Sequence, residues 1–206
     1  KVYLTRPFTI QNTFEANGND IEKTVDSLYE CIVWRRSFID PNFKPLESIV
    51  HIPRKYYGID IIYINSFHIE DKFIYAMKHV VNIIEKILIS SREYTVIFDL
   101  YHSKSEHFTD LDALKKMIYI FKRYYPYYIR QGIFLNVSPL IKVTINILIP
   151  FMSEYIRSRI HVYTNLDFDI GIDKTFFESV SKSIDNKDTK TPKAIFDNLY
   201  LLDNNE

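Results

Sequence analysis

Cysteine and glycine are both scarce in this 206-residue chain, which contains one cysteine, Cys31, and four glycines. A single cysteine excludes an internal disulfide and a zinc site built from several cysteines, and it fits a reducing compartment. No G-x-G-x-x-G or G-x-x-x-x-G-K-[ST] sequence occurs, so the common glycine-rich phosphate loops are excluded. Cys31 falls in the apolar periodicity of a helix, which favours a small buried side chain over a nucleophile.

Net charge is absent as well, because 26 basic residues balance 26 acidic ones. A general nucleic-acid-binding protein needs a positive field to displace counterions, so only a local basic patch could serve that purpose. The longest charge-free apolar stretch, 143–153, is shorter than the ~20 residues that span a bilayer. The chain opens K-V-Y-L-T-R, without Met or a signal peptide, so we expect a soluble cytoplasmic protein and a piece of a longer one.

Aromatic residues, by contrast, are abundant: the chain has 16 Tyr, 15 Phe and one Trp. So much large apolar surface either fills a big core or lines a large cavity.

Hydrophobic periodicity predicts alternating helices and strands. Asp20 is a plausible N-cap, and Ile21, Val25, Leu28 and Ile32 then recur at helical spacing. The expected elements are a helical opening over 12–38, a strand at Tyr57–Ser66, a helix at Asp71–Ser90, a strand at Tyr94–Leu100, a helix at Leu111–Tyr124, a strand at Ile133–Val137, a helix at Leu140–Arg157 and a strand at Ile160–Tyr163. This order predicts an α/β domain with a mostly parallel sheet.

The predicted helix 140–157 contains the sequence I-N-I-L-I-P-F-M, which is apolar on nearly every side. Such a helix is either buried all round in the core or spends time against another apolar medium, and the pattern leaves both open. Pro150 removes an interior backbone hydrogen bond, so we expect a kink or a break there.

Candidates for catalysis or metal binding are few. His102, Glu106 and His107 follow a strand, but their spacing on a loop suits a solvated segment better than a metal site. Asp99 ends an apolar strand, where ligands of parallel sheets bind; a ligand contact and a structural pairing with a neighbouring loop are equally open. Nothing assembles a nucleophile, a base and an oxyanion hole. We therefore expect no enzyme, no metal and no cofactor.

The order of motifs from about Asp20 to Tyr163 resembles the CRAL-TRIO family of lipid-binding and lipid-transfer domains. The segments that carry this resemblance are Trp34-Arg35 at a helix end, Y-G-I-D-I-I-Y-I with Gly58, T-V-I-F-D-L with Asp99-Leu100, Y-Y-P followed by I-F-L-N-V-S-P, and I-P-F-M-S-E-Y-I-R-S-R-I-H-V-Y. The resemblance implies a mostly parallel sheet that floors a lipid cavity, after an N-terminal helical subdomain. It divides the chain into a helical segment 1–45, a lipid-binding domain 46–185 and a polar tail 186–206.

The resemblance also implies a function, namely that the domain encloses one hydrophobic ligand and transfers or presents it between membranes. We expect a phospholipid, with phosphatidylinositol as one candidate, and a transient membrane surface as partner of an otherwise cytoplasmic protein. Helix 140–157 would be the gate, which opens on lipid and closes in water. The expected site residues are Leu148, Phe151, Met152 and Tyr155 for the gate, Tyr63, Tyr94, Val96 and Phe98 for the cavity, and Tyr127 and Arg159 for the headgroup.

Headgroup residues depart from the family pattern. Members that bind phosphatidylinositol use an Arg, a Glu and a Lys, which correspond to about Asn12, Tyr127 and Arg159, and only Arg159 keeps its charge. The hydroxyl positions of phosphatidylcholine-binding members fall at about Tyr94 and Val96. A tyrosine-lined polar end, or a less polar ligand such as a sterol, isoprenoid or fatty chain, stays open. The rival interpretation is an interaction or regulatory module with the same fold and a reduced or filled cavity.

Overall fold

The computed structural model describes residues 6, 8–39, 49–52, 59–65, 73–100, 103 and 108–164. Helices and strands alternate through these ranges, as the periodicity predicts. Their bounds are α1 Thr9–Ala16, α2 Ile21–Phe38, β1 Ile49–Ile52, β2 Asp60–Asn65, α3 Phe73–Ile87, β3 Tyr94–Asp99, α4 Leu111–Tyr124, β4 Ile129–Leu135, α5 Pro139–Leu148, α6 Glu154–Arg157 and β5 Ile160–Val162.

The five described strands form one sheet in the order β1-β2-β3-β4-β5. Strands β2 to β5 are parallel, and β1 pairs with β2 in the antiparallel sense. The prediction of a mostly parallel α/β sheet is therefore confirmed. Strand β1 was not predicted, because I-V-H-I is a short run among prolines. Because the parallel strands follow chain order, right-handed connections place α3, α4 and α5 on the same face.

The main core lies between that face and the helices. Ile62 and Val96 from the sheet pack with Val81 and Ile84 of α3 and with Leu114 of α4, and all five are almost completely buried. Each buried side chain of this size contributes roughly 1.5–3 kcal/mol relative to its exposed state. A smaller cluster of Leu100, Val137, Ile141 and Ile145 lies under α5, beyond the carboxyl ends of the strands.

Helix α2 begins as predicted, since the Asp20 carboxylate accepts a hydrogen bond from the Lys23 backbone N–H at 3.0 Å. Only part of its apolar periodicity is packed. Trp34 and Phe38 pack against the main core, whereas Ile21, Val25, Tyr29 and Val33 are exposed, and the fully buried side chains are polar or small. The buried residues are Thr24, Ser27, Cys31 and Arg35.

A buried ionic cluster joins the N-terminal residues to the α/β domain. The Glu85 carboxylate of α3 pairs with Arg6 at 2.9 Å and with Arg35, and accepts a hydrogen bond from the Tyr125 hydroxyl at 2.6 Å. Burial alone would raise the pKa of Glu85, but the two arginines, chiefly Arg35, and the Tyr125 hydrogen bond outweigh it and lower that pKa. Glu85 is therefore held as a carboxylate.

The predicted helix 140–157 is broken in the structure, which confirms the effect expected of Pro150. Helix α5 ends at Leu148, a 3₁₀ turn covers Ile149–Phe151, and the short α6 follows. The Ser138 and Ser153 hydroxyls cap α5 and α6 by accepting backbone hydrogen bonds at 3.3 Å. The break thus produces two separately capped helices joined by a turn.

Candidate functional site

Helix α5 carries large apolar side chains on its outer face as well as on its buried one. Leu140, Val143 and Ile147 are 56%, 54% and 47% exposed, and Phe151 in the following turn is 47% exposed. Contiguous exposed apolar residues on a monomeric protein mark a surface that contacts something apolar. Of the two alternatives for this helix, the structure therefore excludes complete burial in the core.

Beneath α5 the described side chains pack tightly. The Phe98 and Phe134 rings stack at 4.7 Å, and both lie against the cluster that contains Ile141 and Ile145. Two of the expected gate residues, Leu148 and Met152, belong to the main core and are only 4% and 8% exposed. Helix α5 is therefore packed against the sheet through its inner face.

An open groove of about 330 Å³ lies where α1, α4 and α6 meet. It contains two residues expected from the sequence, Tyr127 and Tyr155, whose rings meet edge to face at 4.5 Å. Beside it, the Arg159 guanidinium lies 3.7 Å from the centroid of the Tyr155 ring and donates to the Tyr155 backbone oxygen. The lining residues are Thr13, Ala16, Asn17, Tyr119, Lys122, Arg123, Pro126, Tyr127, Ser153, Glu154, Tyr155 and Ile156.

Tyr127 adopts a left-handed backbone conformation, with φ of 59°. An L-residue other than glycine, asparagine or aspartate rarely takes this conformation, which costs about 1–2 kcal/mol. Its ring partner Tyr155 is fixed by a hydrogen bond from its hydroxyl to the Ile129 backbone oxygen at 2.9 Å. Burial, as the largest effect, raises the pKa of Tyr155. Strain of this kind is often retained at binding sites.

The groove is bordered by more cationic than anionic groups. Arg123 is already committed to Glu30 and to the Ser27 hydroxyl, and its hydrogen bond to Glu30 raises its pKa. Among the described residues, Lys122 and Arg159 take part in no ion pair, whereas Glu154 is the one acidic residue in the lining. This excess of positive charge around the groove favours an anionic or hydroxyl-rich ligand group over a cationic one.

A second, shallower depression of about 330 Å³ lies nearer the start of α4, shares Tyr119 with the groove and is lined by Lys115, Lys116, Ile118, Tyr119 and Phe151. The Lys115 ammonium lies 5.0 Å from the centroid of the Phe151 ring, a cation–π contact. This contact ties the 3₁₀ turn after α5 to α4.

The four residues expected to line one cavity lie on both faces of the sheet. In the strand register, Val96 aligns with Ile62 on the face that α3 and α4 cover, and Tyr94 and Phe98 point the same way. Tyr63 aligns with Ile97 and points to the opposite face. The structure therefore brings Tyr94, Val96 and Phe98 together and leaves Tyr63 apart from them.

Tyr94 is completely buried, and its hydroxyl makes no hydrogen bond with any described residue. Burial, chiefly, raises its pKa well above the ordinary value. The Asn12 side-chain amide nitrogen, at the position where the family has its Arg, is likewise buried without a partner in the described ranges. Neither residue lines the groove.

Asp99 has a structural role, which was one of the two alternatives for it. Its carboxylate accepts a hydrogen bond from the Tyr63 hydroxyl at 2.7 Å and another from the Asn136 side-chain amide at 2.8 Å. These bonds join the ends of β2, β3 and β4, and Asn136 takes a left-handed φ of 57° to make its bond. Burial and then the Asp99 charge raise the pKa of Tyr63 well above its ordinary value.

Several groove residues had no signal in the sequence. Thr13, Asn17, Lys122 and Ser153 are ordinary polar residues on three distant segments, and only the fold brings them together. His102, Glu106 and His107 lie outside the described residues. Within the described ranges, no cluster of three or more His, Cys, Asp or Glu could hold a metal ion. None of the helices there has the length and apolar character of a membrane span.

The fold and the aromatic groove define an α/β domain with a mostly parallel sheet behind N-terminal helices, the arrangement that the motif order predicts. The family model of the CRAL/TRIO domain matches residues 50–185, more than half of the chain. The chain belongs to the CRAL/TRIO domain family. Membership supports the binding of a lipid or another small hydrophobic ligand as the general activity.

The fold is also similar to a solved structure, the crystal structure of Sfh5, with a TM-score of 0.63 and 16% sequence identity. The similarity covers 75% of this chain and 63% of the Sfh5 chain, so this chain spans less than two thirds of the length of the Sfh5 chain. At this identity the likeness supports the fold alone. No curated protein sequence matches the chain significantly.

Proposed function

We propose that this domain is a carrier that binds one lipid, rather than an enzyme, and that segment 139–157 is the gate through which the lipid enters and leaves. The observation that carries the proposal is the outer face of α5. Leu140, Val143 and Ile147 are exposed to solvent there and do not pack against the domain core. Placing them in a bilayer interface would bury roughly half of each side chain, which contributes about 1 kcal/mol apiece.

A carrier solves a solubility problem. Exposing one acyl methylene to water costs ~0.8 kcal/mol, so a diacyl lipid with ~30 methylenes faces roughly 24 kcal/mol of apolar exposure. A groove of about 330 Å³ is far too small for two acyl chains. We infer that the lipid enters when α5 lifts off Phe98 and Phe134.

The polar end of the lipid would lie in the groove. We propose that Arg159 contacts a phosphate and that the Tyr127 and Tyr155 hydroxyls and Lys122 surround the headgroup. A phospholipid fits this set, and phosphatidylinositol is the first candidate because its headgroup combines one phosphate with several hydroxyls. The membrane surface is then a transient partner.

Native mass spectrometry of the purified protein, with identification of bound lipids, tests the proposal. We expect one lipid per chain after incubation with mixed vesicles, and transfer of that lipid between vesicles. If no lipid is bound or transferred under any vesicle composition, the carrier proposal is wrong. A fluorescent transfer assay with Ile147→Asp should show slower transfer, and Ile89→Asp, on an exposed apolar residue after α3, is the matched control.

Arginine variants test the headgroup assignment. Arg159→Ala removes a charge-assisted contact worth about 1.5–3 kcal/mol, so we expect roughly ten- to a hundredfold weaker binding of a phosphate-bearing lipid. Arg157→Ala, on the exposed surface of α6, should leave binding unchanged. Equal effects of the two changes would contradict a phosphate contact at Arg159.

One observation favours a second candidate function. Phe98, Phe134, Ile141 and Ile145 fill the space beneath α5, as they would in a non-transfer interaction or regulatory module. Hydrogen exchange of the α5 amides separates the two. A carrier should lose protection there when vesicles are added, whereas a module with a filled interior should keep it.

A further inference from the structure

Helix α2 carries large apolar side chains on its solvent face as well as on its packed face, where Trp34 and Phe38 lie against the core. The packed face also holds polar groups with local partners: the Thr24 hydroxyl donates to the Asp20 backbone oxygen and the Ser27 hydroxyl to that of Lys23. Its solvent face carries an apolar row one helical turn apart, which we call the α2 ridge. The ridge consists of Ile21, Val25, Tyr29 and Val33, which are 72%, 59%, 68% and 48% exposed.

The ridge is not part of the proposed lipid path. Its residues line neither of the depressions beside α4, and they do not belong to the core clusters under α3, α4 and α5. A row of four large apolar side chains in water carries a solvation cost of several kcal/mol in total by the area relation. That cost is removed when the row is covered by a complementary surface.

Charges on the same face identify the complementary surface. Relative to Tyr29, Val25 and Val33 lie four residues before and after, and Glu22 and Arg36 lie seven residues before and after. At 100° per residue all four point within about 40° of Tyr29. When two copies of α2 pack antiparallel with Tyr29 opposite Tyr29, Val25 of each copy contacts Val33 of the other. Glu22 of each copy likewise lies opposite Arg36 of the other, so both pairs occur twice.

We propose that the α2 ridge is a homodimer interface, on which a second copy of this chain docks with its α2 antiparallel and a two-fold axis at Tyr29. Such an interface is self-complementary, as two-fold symmetry requires. Antiparallel helices also oppose their macrodipoles favourably, and a shallow crossing of about 20° keeps the ridge residues in contact along both helices.

The affinity should be modest. An 18-residue helix is about 27 Å long, and one helix pair buries less than the area of a stable standard interface. We therefore expect a reversible dimer in the micromolar range. The two Glu22–Arg36 pairs are exposed, so they contribute orientation more than affinity. Among the described residues, neither Glu22 nor Arg36 takes part in an ion pair within its own chain.

Sedimentation velocity between about 1 and 100 μM tests the interface directly. We expect the mass to rise from that of the 24.6 kDa monomer towards the dimer as concentration increases. Tyr29→Lys places two cations at the axis and should leave a monomer throughout. Ile10→Lys, on an exposed apolar residue of α1, is the matched control and should dimerise like the wild type.

Charge reversal tests the antiparallel orientation. Glu22→Arg alone opposes like charges and should weaken the dimer at least tenfold, and combining it with Arg36→Glu in one chain should restore it. In a parallel helix pair, Glu22 of one copy would already lie opposite Glu22 of the other. Glu22→Arg alone would then replace one like-charge pair by another and change the dimer affinity little. A wild type that stays monomeric at the highest concentration, or a Tyr29→Lys variant that still dimerises, overturns the proposal. If Tyr29→Lys fails to fold by circular dichroism, Val25→Glu replaces it.

Discussion

Among single residues, Tyr127 shows the clearest conflict between backbone and side chain. Its left-handed φ of 59° would suit glycine, yet the position carries a large ring that packs on Tyr155. The strain is tolerated because the neighbouring Pro126 and the fixed start of β4 hold the loop in place. We infer that the ring was kept for what it contacts in the groove.

Two substitutions at Tyr127 separate strain from contact. Tyr127→Ala and Tyr127→Gly both remove the ring, but only glycine also relieves the backbone. We expect the glycine variant to be more stable than the alanine variant by about 1 kcal/mol, the reverse of their usual order. Urea unfolding of both proteins measures this. An alanine variant as stable as the glycine variant would show that the backbone is not strained.

The buried Glu85 cluster should be far more important for stability than any surface ion pair. Glu85→Gln leaves the Arg6 and Arg35 charges buried without their counter-ion, and we expect a loss of about 3–5 kcal/mol at neutral pH. Glu93→Gln breaks an exposed pair with Arg130 at 3.5 Å and should cost less than about 1 kcal/mol. Urea titrations compare the two. If both variants lost a similar free energy of unfolding, the ion pairs of Glu85 with Arg6 and Arg35 would contribute little to stability.

At the scale of the element, the sequence predicted existence and type better than bounds. Leu111–Tyr124 was predicted to the residue because Thr109/Asp110 and Pro126 mark both ends. Strand β4 begins at Ile129, four residues before its predicted start, because Arg130 and Gln131 interrupt the apolar run. In α2, Cys31 is buried as expected, but Ile21 and Val25 from the same apolar periodicity are exposed. Apolar periodicity in the sequence predicts which side of a helix carries apolar side chains, but it does not predict which other elements they contact.

The candidate site was predicted only in part. Pro150 predicted the break after α5. Tyr155, expected in the gate, lies together with Tyr127 and Arg159, expected at the headgroup, and their role in binding stays a prediction. The groove itself depends on α1, α4 and α6 meeting in the fold, which no local pattern encodes. The division of the chain at residues 45 and 185 stays a prediction.

Helix α5 should respond oppositely to changes on its two faces. Ile145→Ala creates a cavity in the cluster under the helix and should destabilise the protein by about 2–4 kcal/mol. Val143→Ser, on the outer face, should change stability by less than about 0.5 kcal/mol and yet weaken vesicle binding. Thermal unfolding and vesicle co-sedimentation measure the two effects. A Val143→Ser variant that binds vesicles like the wild type would remove α5 from the membrane contact.

At the scale of the whole molecule, the free energy of unfolding should fall with acid over two successive pH ranges that overlap slightly. Burial lowers the pKa of His79 from 6.5 to about 4, so between these values the unfolded chain binds a proton that the folded chain does not. Stability therefore falls as pH drops from 6.5 towards 4. Glu85 has a lowered pKa, so its contribution is complete above its ordinary value of 4.5 and is lost as pH falls below that.

Urea unfolding at closely spaced pH values resolves the two ranges. His79→Gln should flatten the curve above pH 4.5, and Glu85→Gln should flatten it below. The wild type without any slope between pH 6.5 and 4.5 would contradict a buried neutral His79.

The way the sheet holds the α5 region has a mechanical consequence. The Val137 N–H donates to the Tyr163 backbone oxygen at 3.0 Å, and the Gly132 N–H donates to that of Arg159 at 2.9 Å, so both ends of the intervening segment are fastened to the same two strands. In the proposed gate, the segment would move about these two attachment points while the hydrogen bonds between β4 and β5 stay in place. Loading and unloading would then break no strand pairing, so the movement would expose no edge beyond those that the sheet already has.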